Sequence, residues 1–411
     1  VSPNREEALM VIDSSVPVYY DPYDWDIDTD PYPTWKRLRD EAPLYYNEKY
    51  DFYAVSRFDD VERCSVDWRT YISGKGSVLE IIKSGVEIPP GNILFEDPPS
   101  HDLHRALLSR VFTPRRIAEI EPKVREFCAR TLDPHVGAGR FDFILDLGAQ
   151  MPMRTIGMLL GIPEEDQEAI RERIDEGFRM ESGTMPDTDA ATYGMRSFGD
   201  DFVDYVEWRS KNPSDDLMTD LLNAEFEDAS GTVRTLTRDE VLNYVGLLNA
   251  AGNETTTRLI GWTGKVLAEH PDQRRELVDE PNLVPGAIEE LLRYEAPSPV
   301  QARYVTRDVE LHGQTVPEGS VMVLLTAAAN RDERHFPDPD RFDIHRVIDH
   351  HLTFGYGIHF CLGSHLARLE GRVALEEVLA RFPAWEVDWG HAVQAHTTTV
   401  RGWEQLPVIT G

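Results

Sequence analysis

Cysteine is scarce in this chain: Cys64, Cys128 and Cys361 are the whole complement, and no Cys-x-x-Cys pair occurs among them. An odd count argues against a disulfide framework and for a reducing compartment, which makes the cytoplasm the expected location. Basic residues are also short. There are 42 Lys+Arg against 73 Asp+Glu, giving a formal net charge of −31 over 411 residues. Binding a phosphate backbone or an anionic bilayer needs the opposite balance, so neither nucleic acid nor a membrane surface is expected as a partner. Long apolar runs are missing too. The most apolar stretch, Val321 to Ala329, is about half a membrane span and contains Thr326. The first residues, through Val18, lack the basic segment and apolar core of a secretory signal.

What is present reads as a large, mainly helical protein. A chain of this length buries about three quarters of the surface that its unfolded form exposes, so it needs no disulfide or metal to fold. Residues 1–40 read as an irregular arm that closes in a short helix around Pro33–Glu41. Tyr45–Phe58 alternates apolar and polar residues and predicts a strand pair. Gly, Pro and Ser then rise through Gly74–Ser100, predicting a long loop. Helices are predicted at His101–Phe112, Arg115–His135, Phe143–Leu160, Glu164–Met180 and Tyr193–Ser210. The longest helical pattern is Thr237–His270, with a capped start at Thr237 and Glu240 and a stop at His270-Pro271. At 1.5 Å per residue it would run about 50 Å, across the whole molecule. A helix at Leu283–Tyr294 follows, then short strands at Ala302–Val305, Val309–Leu311 and Ser320–Thr326. The Pro/Asp/Arg-rich connection Asn330–Ile348 leads to a last helix at Leu362–Phe382. No internal repeat or clear linker divides the chain, so residues 1–411 are expected to form a single domain.

The sharpest local signal is Phe354-Gly-Tyr-Gly-Ile-His-Phe-Cys361-Leu-Gly363. A lone cysteine is usually a small buried hydrophobe. Here Gly355, Gly357 and Gly363 permit close backbone approach, and Cys361 stands at the start of a helix, where free N–H groups favour a thiolate. Phe354, Ile358, Phe360 and Leu362 would keep water from the sulfur. That is the setting a metal-bound cysteine needs. Zinc does not suit the neighbouring His350, His351, His359 and His365, because no paired ligand spacing occurs. A dinucleotide-binding turn fails on the position of the third glycine.

The segment resembles the haem-binding pattern of the cytochrome P450 family at its glycines, at His359 and at Cys361. Further stretches are similar to the family in the same order. Glu290-Leu-Leu-Arg293 resembles its buried helix pair, with Arg346 as the later arginine that joins it. Asp97-Pro-Pro-Ser-His101-Asp-Leu-His-Arg105 resembles the start of the helix beside the haem, and His101 and Arg105 share one helix face at i,i+4. Arg303 matches the arginine that approaches the haem from the other side. Ala250-Ala-Gly-Asn-Glu254-Thr255-Thr-Thr257 resembles the acid–alcohol turn of the long helix, where Gly, Asn and Thr are poor helix formers and an opened turn is expected.

The resemblance implies a mainly α fold with a minor β part, a single-domain cytochrome P450 fold with haem between the long central helix and the cysteine-bearing helix. It implies haem b with Cys361 as the iron ligand, and His101, Arg105, Arg303 and His359 as donors to its propionates, with Gly363 beside it. Glu254 and Thr255 would organise proton delivery. The activity implied is a haem–thiolate monooxygenase that inserts one oxygen atom of O2 into a small apolar substrate of lipid, terpenoid or steroid class. No flavin or iron–sulfur motif is seen, so electrons from NAD(P)H would arrive through a ferredoxin and a ferredoxin reductase. A monomer is expected. The alternatives are a peroxide-driven peroxygenase of the same fold and a non-catalytic haem-binding sensor. Arg105, Arg110, Arg115, Arg116 and Arg368 form a locally basic set that would receive an acidic ferredoxin. Ser73–Phe95, Arg179–Tyr193, Tyr244–Ala251, Ala296–Gln301 and Thr398–Trp403 are the expected substrate-lining segments.

Overall fold

The computed structural model describes residues 17–88, 91–109, 112–186, 199, 201–228 and 230–411. Its axis is the helix Arg238–Glu269, here the central helix, 32 residues long. The expected cap is present in full: the Thr237 side chain accepts from Glu240 N–H, and the Glu240 carboxylate accepts from Thr237 N–H. Those two bonds satisfy donors that the first turn would otherwise leave open. His270 ends it, and Pro271 opens the next helix, Pro271–Asp279.

Glycines let neighbours come close to this axis. A Cβ on Gly264 would lie 2.6 Å from the Phe143 ring, and one on Gly371 would lie 2.9 Å from Leu259 Cδ2. Gly371 belongs to the helix Ser364–Arg381, here the cysteine helix, which packs on the central helix and on Pro114–Leu132. Val124, Leu259, Val266, Val373 and Val378 are fully or almost fully buried where these elements meet. Among the described residues no helix is long and apolar enough to cross a membrane.

The strands gather beside this helical mass. Five form one sheet: β1 (Leu44–Asn47), β2 (Phe52–Val55), β3 (Tyr71–Ile72), β4 (Gln301–Val305) and β5 (Val321–Leu324), in the order β1-β2-β5-β4-β3. Only β2 and β5 run parallel. Met322 of β5 faces Arg303 of β4, which holds that arginine inside. A mainly helical chain with a small β part is what the sequence predicted.

Several elements depart from expectation. Within Gly74–Ser100 lies a helix, Leu79–Ser84, too short to show periodicity between Gly76 and Gly85. Phe143–Leu160 divides into a π-helical turn, Phe143–Gly148, and an α-helix, Met151–Leu160. The arm carries an extra helix, Trp25–Thr29, capped by Asp24, before Tyr32–Glu41; residues 1–16 lie outside the described residues. For the helix expected at Tyr193–Ser210, residues 193–198 and 200 lie outside the described residues, and the described part is Val203–Lys211. The central helix stays α-helical throughout Ala250–Thr257 instead of opening there. The Thr255 hydroxyl donates to the Ala251 carbonyl at 2.9 Å, so the side chain bonds along the helix without breaking it.

Candidate active site

The cysteine loop is built by its glycines. Gly355 and Gly357 take φ of 69° and 74°, and a Cβ on Gly357 would lie 2.9 Å from the Ser65 carbonyl oxygen. Both the turn and the close approach therefore require glycine there. Cys361 N–H closes the loop on the Phe354 carbonyl at 2.8 Å. The cysteine helix begins at Ser364 with Gly363 as its N-cap, so Cys361 stands three residues ahead of it.

The three cysteines differ sharply. Cys64 and Cys128 are buried, and burial pushes both thiols up to about 12. Cys361 is exposed, the one thiol with an open approach. Protein packed closely around its sulfur still raises its pKa, while Gly363 N–H, Arg105 and Arg368 pull it back. The enclosure outweighs these three, so the helix start alone does not favour a thiolate as the sequence suggested. Bonding to a metal would supply the missing stabilisation.

Four nitrogen-bearing side chains converge near this loop. His101 and Arg105 come from the helix Ser100–Ser109, Arg303 from β4 and His359 from the cysteine loop. The rings of His101 and His359 are 4.5 Å apart. Burial, then Arg303, His101 and Arg105 in that order, pushes His359 down to about 2. His101 Nδ1 lies 3.3 Å from Asp102 Oδ1, but the two arginines lack the carboxylates that arginines elsewhere in this acidic protein find. Arg105 donates to the Phe360 carbonyl at 2.6 Å, and Arg303 donates to the Ala302 carbonyl and to Gln301 Oε1. Nε2 of His101 and Nε2 of His359 are buried with no partner. Burial lowers Arg303 to about 10. A buried guanidinium without an anion is costly, so the cluster fits a ligand that brings carboxylates. There is also room: a Cβ on Gly363 would meet nothing within 4 Å. Haem, with two propionates and an iron open to a thiolate, fits this donor set.

On the central helix, Ala251 is exposed and Gly252 and Thr255 are partly so, while Asn253 and Glu254 are buried. Glu254 does not share Thr255's exposure. Its carboxylate takes a 2.7 Å bond from Arg258, which also donates to the Trp403 carbonyl. Arg258 was missed in the sequence, although its i,i+4 spacing from Glu254 was legible. The buried pair Glu290–Arg293 and its link to Arg346 are as expected: Arg293 donates to both Glu290 oxygens at 2.6 and 2.8 Å, and Arg346 adds a bond at 3.1 Å.

Most of the described members of the expected basic set carry a carboxylate partner. Arg115 pairs with Glu119, Arg116 with Asp220 and Arg368 with Glu289. Arg110 lies outside the described residues, as do residues 89–90 and 187–193 of the expected substrate-lining segments.

The chain is 39% identical over 393 residues to putative cytochrome P450 123 of Mycobacterium tuberculosis, covering 94% of this chain and 96% of that protein. The chain belongs to the cytochrome P450 family. The cytochrome P450 family model matches residues 203–395. Cytochrome P450 monooxygenase PikC of Streptomyces venezuelae is 34% identical, covering 93% of this chain and 92% of that protein. Among solved structures, CYP109E1 of Bacillus megaterium in complex with testosterone superposes with a TM-score of 0.84 at 29% identity, covering 94% of this chain and 99% of that one. This cytochrome P450 is a monooxygenase, and membership of the family implies a haem-iron cofactor.

Proposed function

We propose that the whole chain acts as one catalytic unit that inserts one oxygen atom of O2 into a small apolar molecule of lipid, terpenoid or steroid class. The observation that carries this reading is the meeting of an accessible thiol, Cys361, with two arginines that have no carboxylate of their own, Arg105 and Arg303, and with the buried, unpartnered Nε2 atoms of His101 and His359. Cys361 would ligate the iron, His101, Arg105, Arg303 and His359 would bind the propionates, and Gly363 would leave space for the macrocycle. When bound there, haem supplies the redox chemistry and the activation of oxygen.

The protein's own part is to hold, shield and protonate. Phe354 and Phe360, with ring centroids 6.2 Å apart, flank the thiol and limit its contact with water. The Thr255 hydroxyl can turn from the Ala251 carbonyl towards the open side of the central helix and hand over a proton at Oγ1. Glu254, held by Arg258, would supply the next proton through water. Electrons would come from NAD(P)H through a ferredoxin and its reductase. The testosterone complex of the structural relative supports an apolar substrate.

The test is spectroscopic. The reduced CO complex should show the strongly red-shifted Soret band of thiolate ligation. Cys361→Ala should abolish that band, whereas Cys64→Ala and Cys128→Ala should retain it. A Cys361→Ala protein indistinguishable from the parent would overturn the ligand assignment. Substrate class is then read by screening lipids, terpenoids and steroids for Soret shifts in the parent protein.

A further inference from the structure

The helix that offers His101 and Arg105 carries a third functional-looking residue, His104, whose surroundings the proposed chemistry does not use. His104 is 6% exposed, and its Nδ1 lies 2.8 and 3.0 Å from the two oxygens of Glu96, itself 8% exposed. Glu96 Oε1 also accepts from Gly91 N–H at 2.8 Å. One buried carboxylate thus joins both ends of the turn 91–96 to the helix. His104 is boxed in on its other sides. The Phe226 ring packs edge-on at 5.9 Å and the Tyr244 ring at 5.8 Å, while Glu240 Oε1 stands 3.9 Å from Nε2. Glu240 is held in turn by Arg234, at 2.8 and 2.9 Å, and by its own cap at Thr237.

The turn is fastened at two further points. Gly91, at φ +96°, lies so close to the central helix that a Cβ would come within 3.2 Å of Glu240 Cα. The Ile93 backbone lies beside the ring of His359, one of the four donors beside Cys361. Helix, cysteine loop and central helix therefore all hold one short segment, and the His104–Glu96 pair is the only one of these ties made by two side chains.

We propose that His104 and Glu96 are positioning residues that lock the turn 91–96 beside His359, on the approach to Cys361, and thereby set the size of molecule the site admits. The inference rests on the proposed placement of haem beside Cys361. Neither residue needs to touch the bound molecule. The pair acts through the turn, because a carboxylate buried at this depth keeps its place only while its partner is present.

The experiment compares two probes that bind haem iron through the same nitrogen but differ in bulk, imidazole and 4-phenylimidazole, titrated by their Soret shifts. Holoenzymes carrying His104→Leu, Glu96→Ala and the milder Glu96→Gln are compared with the parent. The CO-complex band is recorded for each, so loss of haem–thiolate ligation is read separately from a change in selectivity. If the parent itself lacks that band, the haem placement fails and this inference falls with it. With the band intact, His104→Leu and Glu96→Ala should change the ratio of the two dissociation constants by fivefold or more. Glu96→Gln, which can still accept from both Gly91 and His104, should return most of the parent ratio. Should a variant lose the band, Glu96→Gln and amide exchange at Gly91 in the parent decide: a Gly91 amide exchanging as fast as an exposed loop overturns the lock. An unchanged probe ratio in His104→Leu and Glu96→Ala with intact bands also overturns it.

Discussion

At the scale of single residues, burial decides which groups are chemically available. Glu370 of the cysteine helix is 1% exposed; burial, only partly offset by the neighbouring Thr155 and Thr256, lifts its pKa from 4.5 to about 8. A carboxyl raised in the folded state binds its proton there and loses it on unfolding, so its contribution to stability is full below pH 4.5. That contribution is lost as pH rises towards 8. Glu370→Gln, which mimics the protonated acid, should raise the unfolding midpoint relative to the parent. The gap should widen by about 1 kcal/mol per pH unit between pH 5 and 8 in thermal denaturation. Thr255 is the opposite case, a hydroxyl at a partly open position with one weak local bond. Thr255→Ala should bind substrate like the parent but deliver less product per electron, by about tenfold, with the balance appearing as peroxide. Matched measurements of product, peroxide and electron consumption check it, and equal yields would remove Thr255 from proton delivery.

At the scale of elements, close packing on the central helix sets the tolerances. Glycine costs about 1 kcal/mol against alanine inside a helix, so Gly264 looks like a position to improve. The Phe143 ring is too near for that: an added Cβ would meet its atoms at 2.6 to 2.9 Å, and Phe143 is itself 1% exposed. Gly264→Ala should therefore destabilise, with an overpacking cost of about 1–3 kcal/mol exceeding the helix gain. Chemical denaturation of the two proteins gives the answer. A similar dependence on fixed neighbours holds Val284–Tyr294 to the 330–346 connection. Arg293, fully buried, donates to Glu290 and also to the carbonyls of Asn330 and Pro339. The Leu292 carbonyl of the same helix accepts from the Thr353 hydroxyl, so this element also braces the start of the cysteine loop.

Over the whole molecule, charge is the dominant feature. A formal −31 makes folded-state repulsion long-ranged, while most arginines near the cysteine side already have partners such as Glu119, Asp220 and Glu289. Screening should relieve the unpaired excess more than it weakens these short pairs. Raising salt from about 10 mM to about 150 mM, which shortens the Debye length to roughly 8 Å, should raise the thermal midpoint at pH 7. Calorimetry at the two salt concentrations checks the sign, and a falling midpoint would mean that the ion pairs outweigh the net repulsion.

The sequence by itself determined the features carried by neighbouring residues. The capped start of the central helix, the glycine loop before Cys361 and the i,i+4 spacing of His101 and Arg105 are short-range patterns, and each appears in the structure. Resemblance extended this reach to Glu290, Arg293 and Arg346, a network joined across 56 positions. Tertiary structure alone decided the rest. It kept the Ala250–Thr257 turn helical, because burial of Asn253, Glu254, Thr256 and Thr257 on its packed side outweighs weak helix propensity. It split Phe143–Leu160 where a π-helical turn fits against Gly261 and Gly264. It also turned Glu254 towards Arg258, gave Arg116 its partner 104 residues away, and brought Glu96, His104 and Glu240 into one buried group. Local propensity names the residues that can form such contacts; only the packing of distant segments chooses among them.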